Sequence, residues 1–405
     1  MYNLIYEQGE VIEIIKEHKK ITFFWMEIVG EGKCRAVNYN NITGFIKIGD
    51  QVVVNTTAVE LGLGTGGYHF VVLNLKYLDK GINNIYDNNV INKDVIEKLD
   101  MINNDKIDED NLDKNKLDKM YDDDDDDDNI NNGSSNYSYS GHIMKMRYTP
   151  FQIKTFCAEE QMSPYHESIN KFESLSGLPV IIIPLHSLLA PLSITYKNLF
   201  PKKKIAYIMS EGGSLALDFS DLVRDLISEG YIDNTITFGN AFGGDYETVN
   251  IFSALAVANE VINADLVIVG MGPGIVGTST KYGFSGVENA FIEKAVRILK
   301  GKSIIVPRVS FADTRKRHLG ISHHSITLLT ELITDSIELA LPNIDYLQNQ
   351  IDKNNLFNRH KLDFYSIDRV KIILEESKFS FNSMGRALKD DPLFFITAGL
   401  AVYKL

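Results

Sequence analysis

The chain has 405 residues, too long for one ordinary domain and suited to two or three. Hydrophobic residues are 44% and charged residues 23%, which excludes a wholly disordered or fibrous chain. The formal net charge of −13 is concentrated: residues 79–140 hold 18 acids and 7 bases, leaving 36 acids and 34 bases elsewhere, a near-neutral balance that argues against a nucleic-acid partner, local basic patches aside.

Residues 1–78 read as a small β-rich, barrel-like domain. GEVIEIIKEH, ITFFWMEIV, CRAVNYN and QVVVNTT are rich in β-branched and aromatic residues, and TGGYHFVVLNLKY adds a strand. The first residues carry Glu7, Glu10 and Glu13 with no continuous apolar core, so no signal peptide is read there. Two cysteines far apart, Cys34 and Cys157, imply no disulfide framework and suit a reducing cytoplasm.

Residues 79–140 are rich in Asn, Asp, Ile and Lys and include seven consecutive aspartates at 122–128. Charge repulsion and scarce apolar residues predict a disordered acidic insertion, with a transient helix over 95–101. An aspartate run can hold cations loosely; a solvated loop is the simpler reading. Order is expected to resume at GHIMKMRYTPFQ. A connecting strand and helix over 141–177 follow, with the helix carrying FQIKTFCAEEQ.

Residues 178–405 alternate strands with helices. The strands are PVIIIPL, KIAYIMS, TITFGNAF, DLVIVGMG, SIIVPRVSF and SIELALPN, with a weaker KLDFYSI. Continuous apolar strands at this spacing predict a doubly wound, mostly parallel, Rossmann-like α/β sheet. The stretch 177–196 lacks Asp, Glu, Lys and Arg over twenty positions. Its three prolines, its histidine and its hydroxyls favour a buried strand, a loop at His186 and a helix over a membrane span.

In such a sheet, ligands bind beyond the carboxyl ends of the strands. Those ends are rich in glycine: Gly213 after KIAYIMS, Gly244 and Asp245 after TITFGNAF, and Gly272, Gly274, Gly277, Thr278 and Thr280 after DLVIVGMG. The last loop lets the backbone approach a ligand and offers hydroxyls beside a helix N-terminus. GxxxxGK[ST] is absent. G-x-G-x-x-G does occur at Gly272, Gly274 and Gly277, but after a late strand and without the acidic partner of a dinucleotide site. A purely structural glycine turn is the competing reading.

After SIIVPRVSF come Asp313, Arg315, Arg317 and His318, then His323 and His324 opening a helix. Imidazole can move protons near neutral pH, and guanidinium holds phosphate or carboxylate by two points. His323 or His318 is therefore assigned proton transfer, with Asp313 or Asp245 orienting it. Arg315, Arg317 or Lys145 would help the glycine loop hold an anion. A helix-capping His323 and a surface His318 are the bland alternative. The spacing matches no standard zinc motif, so no metal ligand is assigned, and the cofactor stays undefined. Thr65 and His69 in the first glycine loop, and His142, Lys145 and Arg147 after the insertion, either complete the pocket or mark a domain-interface hairpin.

NTTAVELGLGTGGYHFV, GHIMKMRYTP, SEGGSLALDFS, FGNAFGGDYETVN, GPGIVGTSTKYGFSG, RHLGISHHS and SMGRALKDDP together resemble a bacterial family of domains of unknown function, numbered thirty-eight sixty-six. The resemblance covers nearly the whole chain outside 79–140. It implies a bacterial, cytoplasmic protein and carries no reaction or residue role. The residues themselves lead to an enzyme acting on a small anionic metabolite at the sheet's carboxyl edge, with no membrane partner and a possible homo-oligomeric state. The rivals are a ligand sensor using the same pocket and a structural subunit of an assembly.

Overall fold

The computed structural model describes residues 5–60, 66–77, 141–147, 151 and 153–405. The acidic insertion, the helix expected over 95–101, and Thr65 lie outside them. The chain divides into two compact units, 1–138 and 139–405.

In the first unit, strands β1 (Tyr6–Glu17), β2 (Ile21–Ile28), β3 (Gly32–Tyr39), β4 (Gln51–Asn55) and β5 (Tyr68–Asn74) close into a barrel of order β1-β2-β3-β5-β4. Only β3 and β5 pair in parallel; the other pairs are antiparallel. The register of β1 against β2 shifts twice, after Val11 and after Ile14. Such bulges add twist, which helps one long strand serve both β2 and β4. Alternate residues Phe24, Met26 and Ile28 of β2 meet Val52 and Val54 of β4 inside the barrel.

The second unit opens with an antiparallel pair, β6 (Ile143–Lys145) and β7 (Ile153–Thr155). FQIKTFCAEEQ is thus strand and turn, and a helix forms only at His166–Asn170. The sheet edge explains the difference: Cys157 bridges Glu247 in parallel, and Ala158 N donates to Glu247 O at 2.9 Å, drawing this segment out straight.

The main sheet contains β8 (Pro179–Ile182), β9 (Ile205–Ser210), β10 (Asn234–Phe238), β11 (Tyr246–Thr248), β12 (Leu266–Met271), β13 (Lys302–Ile305), and, after the short ribbon β14 (Val309–Ser310) and β15 (Gly320–Ile321), β16 (Glu338–Pro342) and β17 (Lys361–Tyr365). Its order is β11-β10-β9-β12-β8-β13-β16-β17, and all eight strands are parallel. The central β9 and β12 are buried along their whole length, which their unbroken apolar runs require. The weak KLDFYSI run is the edge strand β17; the other edge, β11, lies in a segment read from sequence as loop.

Helices cover both faces. Asp221–Ser228, following β9, places Val223 and Leu226 in one core; Glu288–Ile298, following β12, places Ile292 and Val296 in the other. From β9 the chain moves outward to β10, and from β12 it moves the other way to β13. The gap between β9 and β12 is therefore a topological switch point, where open sheets hold ligands. Stretch 177–196 becomes β8, a turn at His186–Leu188 and the helix Leu189–Leu199. No helix among the described residues is long and apolar enough to cross a membrane.

Candidate functional site

Two glycine segments meet at the switch point. Ser214 N donates to Pro273 O at 2.7 Å, and a Cβ on Gly213 would lie 2.2 Å from Gly272 O. Gly213 is thus required for backbone-to-backbone approach between the loops after β9 and β12. Further along the second loop, Thr278 Oγ1 and Thr280 Oγ1 lie 3.0 Å apart. Thr278 Oγ1 donates to Gly283 O at 3.0 Å, and Gly283 N donates to Thr280 Oγ1 at 3.1 Å. These hydroxyls close the loop's tip on itself.

Facing the loop is the segment after β13. Pro307 lacks an N–H and follows the end of the β13 ladder. Arg308 then enters the β14–β15 ribbon, whose connecting loop carries Asp313, Arg315, Arg317 and His318. Asp313 is a buried hub. Arg308 Nη2 donates to it at 2.8 Å. Arg315 donates through Nη2 at 2.8 Å, Nε at 2.9 Å and its backbone N at 3.0 Å, and Arg386 stands 3.8 Å away. The Arg315 hydrogen bonds, then those from Arg308, hold its carboxyl far below the usual carboxylate range. Arg308 is only 6% exposed, and its Nη1 has no partner among the described residues.

Ser322 organises the histidines. Its side chain caps the helix His323–Thr327, and His318 Nδ1 lies 2.8 Å from its Oγ. The rings of His323 and His324 are 4.1 Å apart, and His318 is 4.9 Å from His323 and 5.3 Å from His324. His324 stacks flat on Phe284 at 4.2 Å, tying this helix to the glycine loop. Burial, aided by Arg308 and Arg315, pushes His318 down to about 3. Burial and His323 push His324 down to about 4. His323 is lowered by burial and then by Arg317. All three are neutral at physiological pH, and Nε2 of His323 and of His324 has no partner among the described residues. Among those residues, no group of three or more His, Cys, Asp or Glu is placed to hold a metal ion.

These groups wall a cavity of about 240 Å³, lined by Arg308, Arg315, Arg317, His318 and His324 on one side and by Ile275, Val276, Gly277 and Ser279 on the other. Beside it lies a second cavity of about 570 Å³, lined by Gly272, Gly274 and equal numbers of apolar and polar side chains, His186 among the polar ones, with apolar atoms making up most of its surface. Of the residues singled out in the sequence, Gly277, Arg315, Arg317 and His318 therefore share one hollow. His323 packs behind it, and Gly272 and Gly274 line its neighbour.

A family described as protein of unknown function, DUF3866, matches residues 35–93 and 121–402. The chain belongs to this family. The DUF3866 match spans every residue lining either cavity, and its gap, 94–120, falls within the acidic segment. No curated protein matches the chain.

Other expected residues line neither cavity. Asp245 accepts from Thr235 N at 2.9 Å and from Thr235 Oγ1 at 3.0 Å, and Gly244 N donates to Thr237 Oγ1 at 3.3 Å, so both shape the β10–β11 turn. Lys145 is buried, donating to Ala241 O and to Glu247 Oε2 at 2.6 Å. His69 is buried on β5 of the barrel, where desolvation lowers its pKa. No carboxylate among the described residues is bonded to His318, His323 or His324; Asp313 serves arginines instead.

The structure adds Arg308, Arg386 and Glu288, which sequence reasoning missed, and places His186, expected in a loop at a strand's carboxyl end, beside the second cavity. Arg308 sat inside an apolar run, where Pro307 was the available signal that the strand stops. Arg386 opens β19 (Arg386–Ala387), which pairs with β18 (Asn382–Ser383), and reaches toward Asp313 from there. Glu288 starts the helix after the glycine loop and accepts from Ser210 Oγ. Burial, with the charge of Glu211, raises its pKa to about 7. His186 Nε2 is 2.6 Å from Ser220 Oγ, and burial pushes its pKa down to about 4.

Proposed function

We propose that this protein binds a small phosphorylated or carboxylated metabolite, in a bacterial cytoplasm, in the cavity between the glycine loop and the arginine–histidine segment. One observation carries this reading: Arg308, nine-tenths buried, is among the residues lining the cavity, and its buried Nη1 has no partner among the described residues. A buried guanidinium N–H without an acceptor costs roughly 1–3 kcal/mol or more. An anion seated there supplies the acceptor. Arg315 and Arg317 line the same hollow and add charge.

The unpartnered histidine nitrogens support a chemical role as well. A neutral imidazole with a free Nε2 can take a proton from a bound ligand, and an anion nearby raises its basicity. In the catalytic form of the proposal, His324 and His318 are the groups beside the ligand, with His323 behind them. A non-catalytic sensor is the second reading, favoured by the lack of a carboxylate behind any of the three rings.

Thermal denaturation and calorimetric titration with inorganic phosphate and with citrate test the anion site. The intact chain is expected to gain melting temperature with at least one of them, and Arg308→Met to lose that gain. Binding that survives Arg308→Met unchanged defeats the proposal. Turnover of a ligand found this way separates enzyme from sensor.

A further inference from the structure

The two cavities are not separate sites. Leu185, Ile275 and Met384 line both, so the arginine-walled hollow and the larger one, whose surface is mostly apolar, adjoin. Their common wall is apolar and open to solvent: Ile275 is 36% exposed and Met384 53%. Met384 also sits in a left-handed conformation, φ 51°, beside Gly385 at φ 77°, at the tip of the β18–β19 hairpin. A two-residue turn of this kind favours Asn or Gly at its first position. A methionine held there keeps an apolar side chain at the junction despite the backbone cost. The hairpin is fixed at both ends, by Ser187 Oγ donating to Ser383 Oγ at 2.8 Å and by Arg386 reaching toward Asp313 and Asp391.

Beyond the wall, Leu222, Met271 and Phe379 line the second cavity together with the uncharged polar Ser187, Ser380 and Asn382, and no lysine or arginine among the described residues does. Asp221 and Asp225 line it too, so a second anionic group is disfavoured there.

We infer that the ligand is an amphiphilic anion: one phosphate or carboxylate held by Arg308, Arg315 and Arg317, joined to a single alkyl or aromatic group that passes Met384 into the larger cavity. This rests on the anion reading above and narrows it to a substrate class. A ligand whose second anionic group would have to reach the larger cavity is disfavoured, because that charge would meet the two aspartates.

Calorimetric titration of the full chain with inorganic phosphate, then with methyl, butyl, hexyl and phenyl phosphate, tests it, with acetate, butyrate and hexanoate as the carboxylate arm. Affinity is expected to rise about two- to fourfold per buried methylene in the series whose headgroup binds. Leu222→Asn, which touches only the second cavity, is expected to flatten that slope and leave headgroup affinity in place. Arg308→Met is expected to abolish binding of every member. Headgroup binding without a chain-length gain overturns this inference and leaves the anion site standing. Failure of every phosphate and carboxylate to bind overturns both.

Discussion

Arg308 and Asp313 pair at 2.8 Å, yet the pair uses only half of the guanidinium: Nη2 is on the carboxylate, and Nη1 has no partner among the described residues. Asp313 meanwhile faces two further arginines, Arg315 and Arg386. The buried Asp313 thus draws three guanidiniums together, with Asp391 as a second buried carboxylate near Arg386. Asp313→Asn keeps the shape and removes the charge. Loss of one partner from a buried ionic cluster costs about 3–5 kcal/mol. Chemical denaturation should show a loss of that size, and phosphate should restore part of it by taking the carboxylate's electrostatic place. A variant as stable as the parent would mean that the arginines do not depend on Asp313.

The histidines give the stability curve an acid limb. In the folded chain His318 and His324 titrate near 3 and 4, against 6.5 when unperturbed. Between those values the unfolded chain binds more protons, so stability falls as pH drops below about 6.5 and is unaffected above it. His324→Phe keeps the stack on Phe284 and removes one of these groups. Melting temperatures of parent and variant should converge at pH 7.5 to within what packing alone changes. At pH 5 the variant should lead by several degrees. Parallel curves across that range would show that His324 is not the group responsible.

Glu288 works in the opposite direction. Its folded pKa is raised from 4.5 to about 7 by burial beside Glu211. Between those pH values the folded chain keeps a proton that the unfolded chain has released, so stability declines as pH rises through the window. Glu288→Gln retains an acceptor for Ser210 and cannot ionise. At pH 8 it should be more stable than the parent by up to about 3 kcal/mol, and at pH 4 the two should coincide. Urea denaturation at both pH values reads this directly, and an equal difference at both would reject it.

The sheet was legible because β8, β9 and β12 are buried on both faces and therefore spell unbroken apolar runs. The glycine loop was legible because a backbone that must pass within contact of another, as Gly213 does against Gly272, admits no side chain. The cavity wall was only partly so. Arg315, Arg317 and His318 stand in one obvious polar loop, whereas Arg308 looks like a charged intruder in a strand. Arg386 lies more than seventy residues downstream, and its approach to Asp313 is a tertiary fact. Asp245, read from sequence as orienting a histidine because it follows a strand in a glycine run, accepts from Thr235 of β10, a pairing no periodic pattern announces. Short polar segments carry no periodic signal, so β11 and β7 were legible only after their neighbours in the sheet were known.

Lys145 separates a structural from a ligand role most cleanly. Its side chain is 1% exposed and its Nζ is on Ala241 O and Glu247 Oε2, joining β6 to the β10–β11 edge. Glu247 also accepts from Thr237 Oγ1 at 2.7 Å and from Gly243 N at 2.6 Å, so its carboxylate is fixed whether or not the lysine is present. Lys145→Met leaves that carboxylate without its cation and should cost about 3–5 kcal/mol. Adding Glu247→Gln removes the stranded charge and should recover a good part, a coupling that a double-mutant cycle measures. The phosphate-induced gain in melting temperature should be the same in parent and Lys145→Met, because Lys145 lines neither cavity. If the gain disappears with the lysine, Lys145 reaches the ligand after all, and the cavity is larger than its arginine wall.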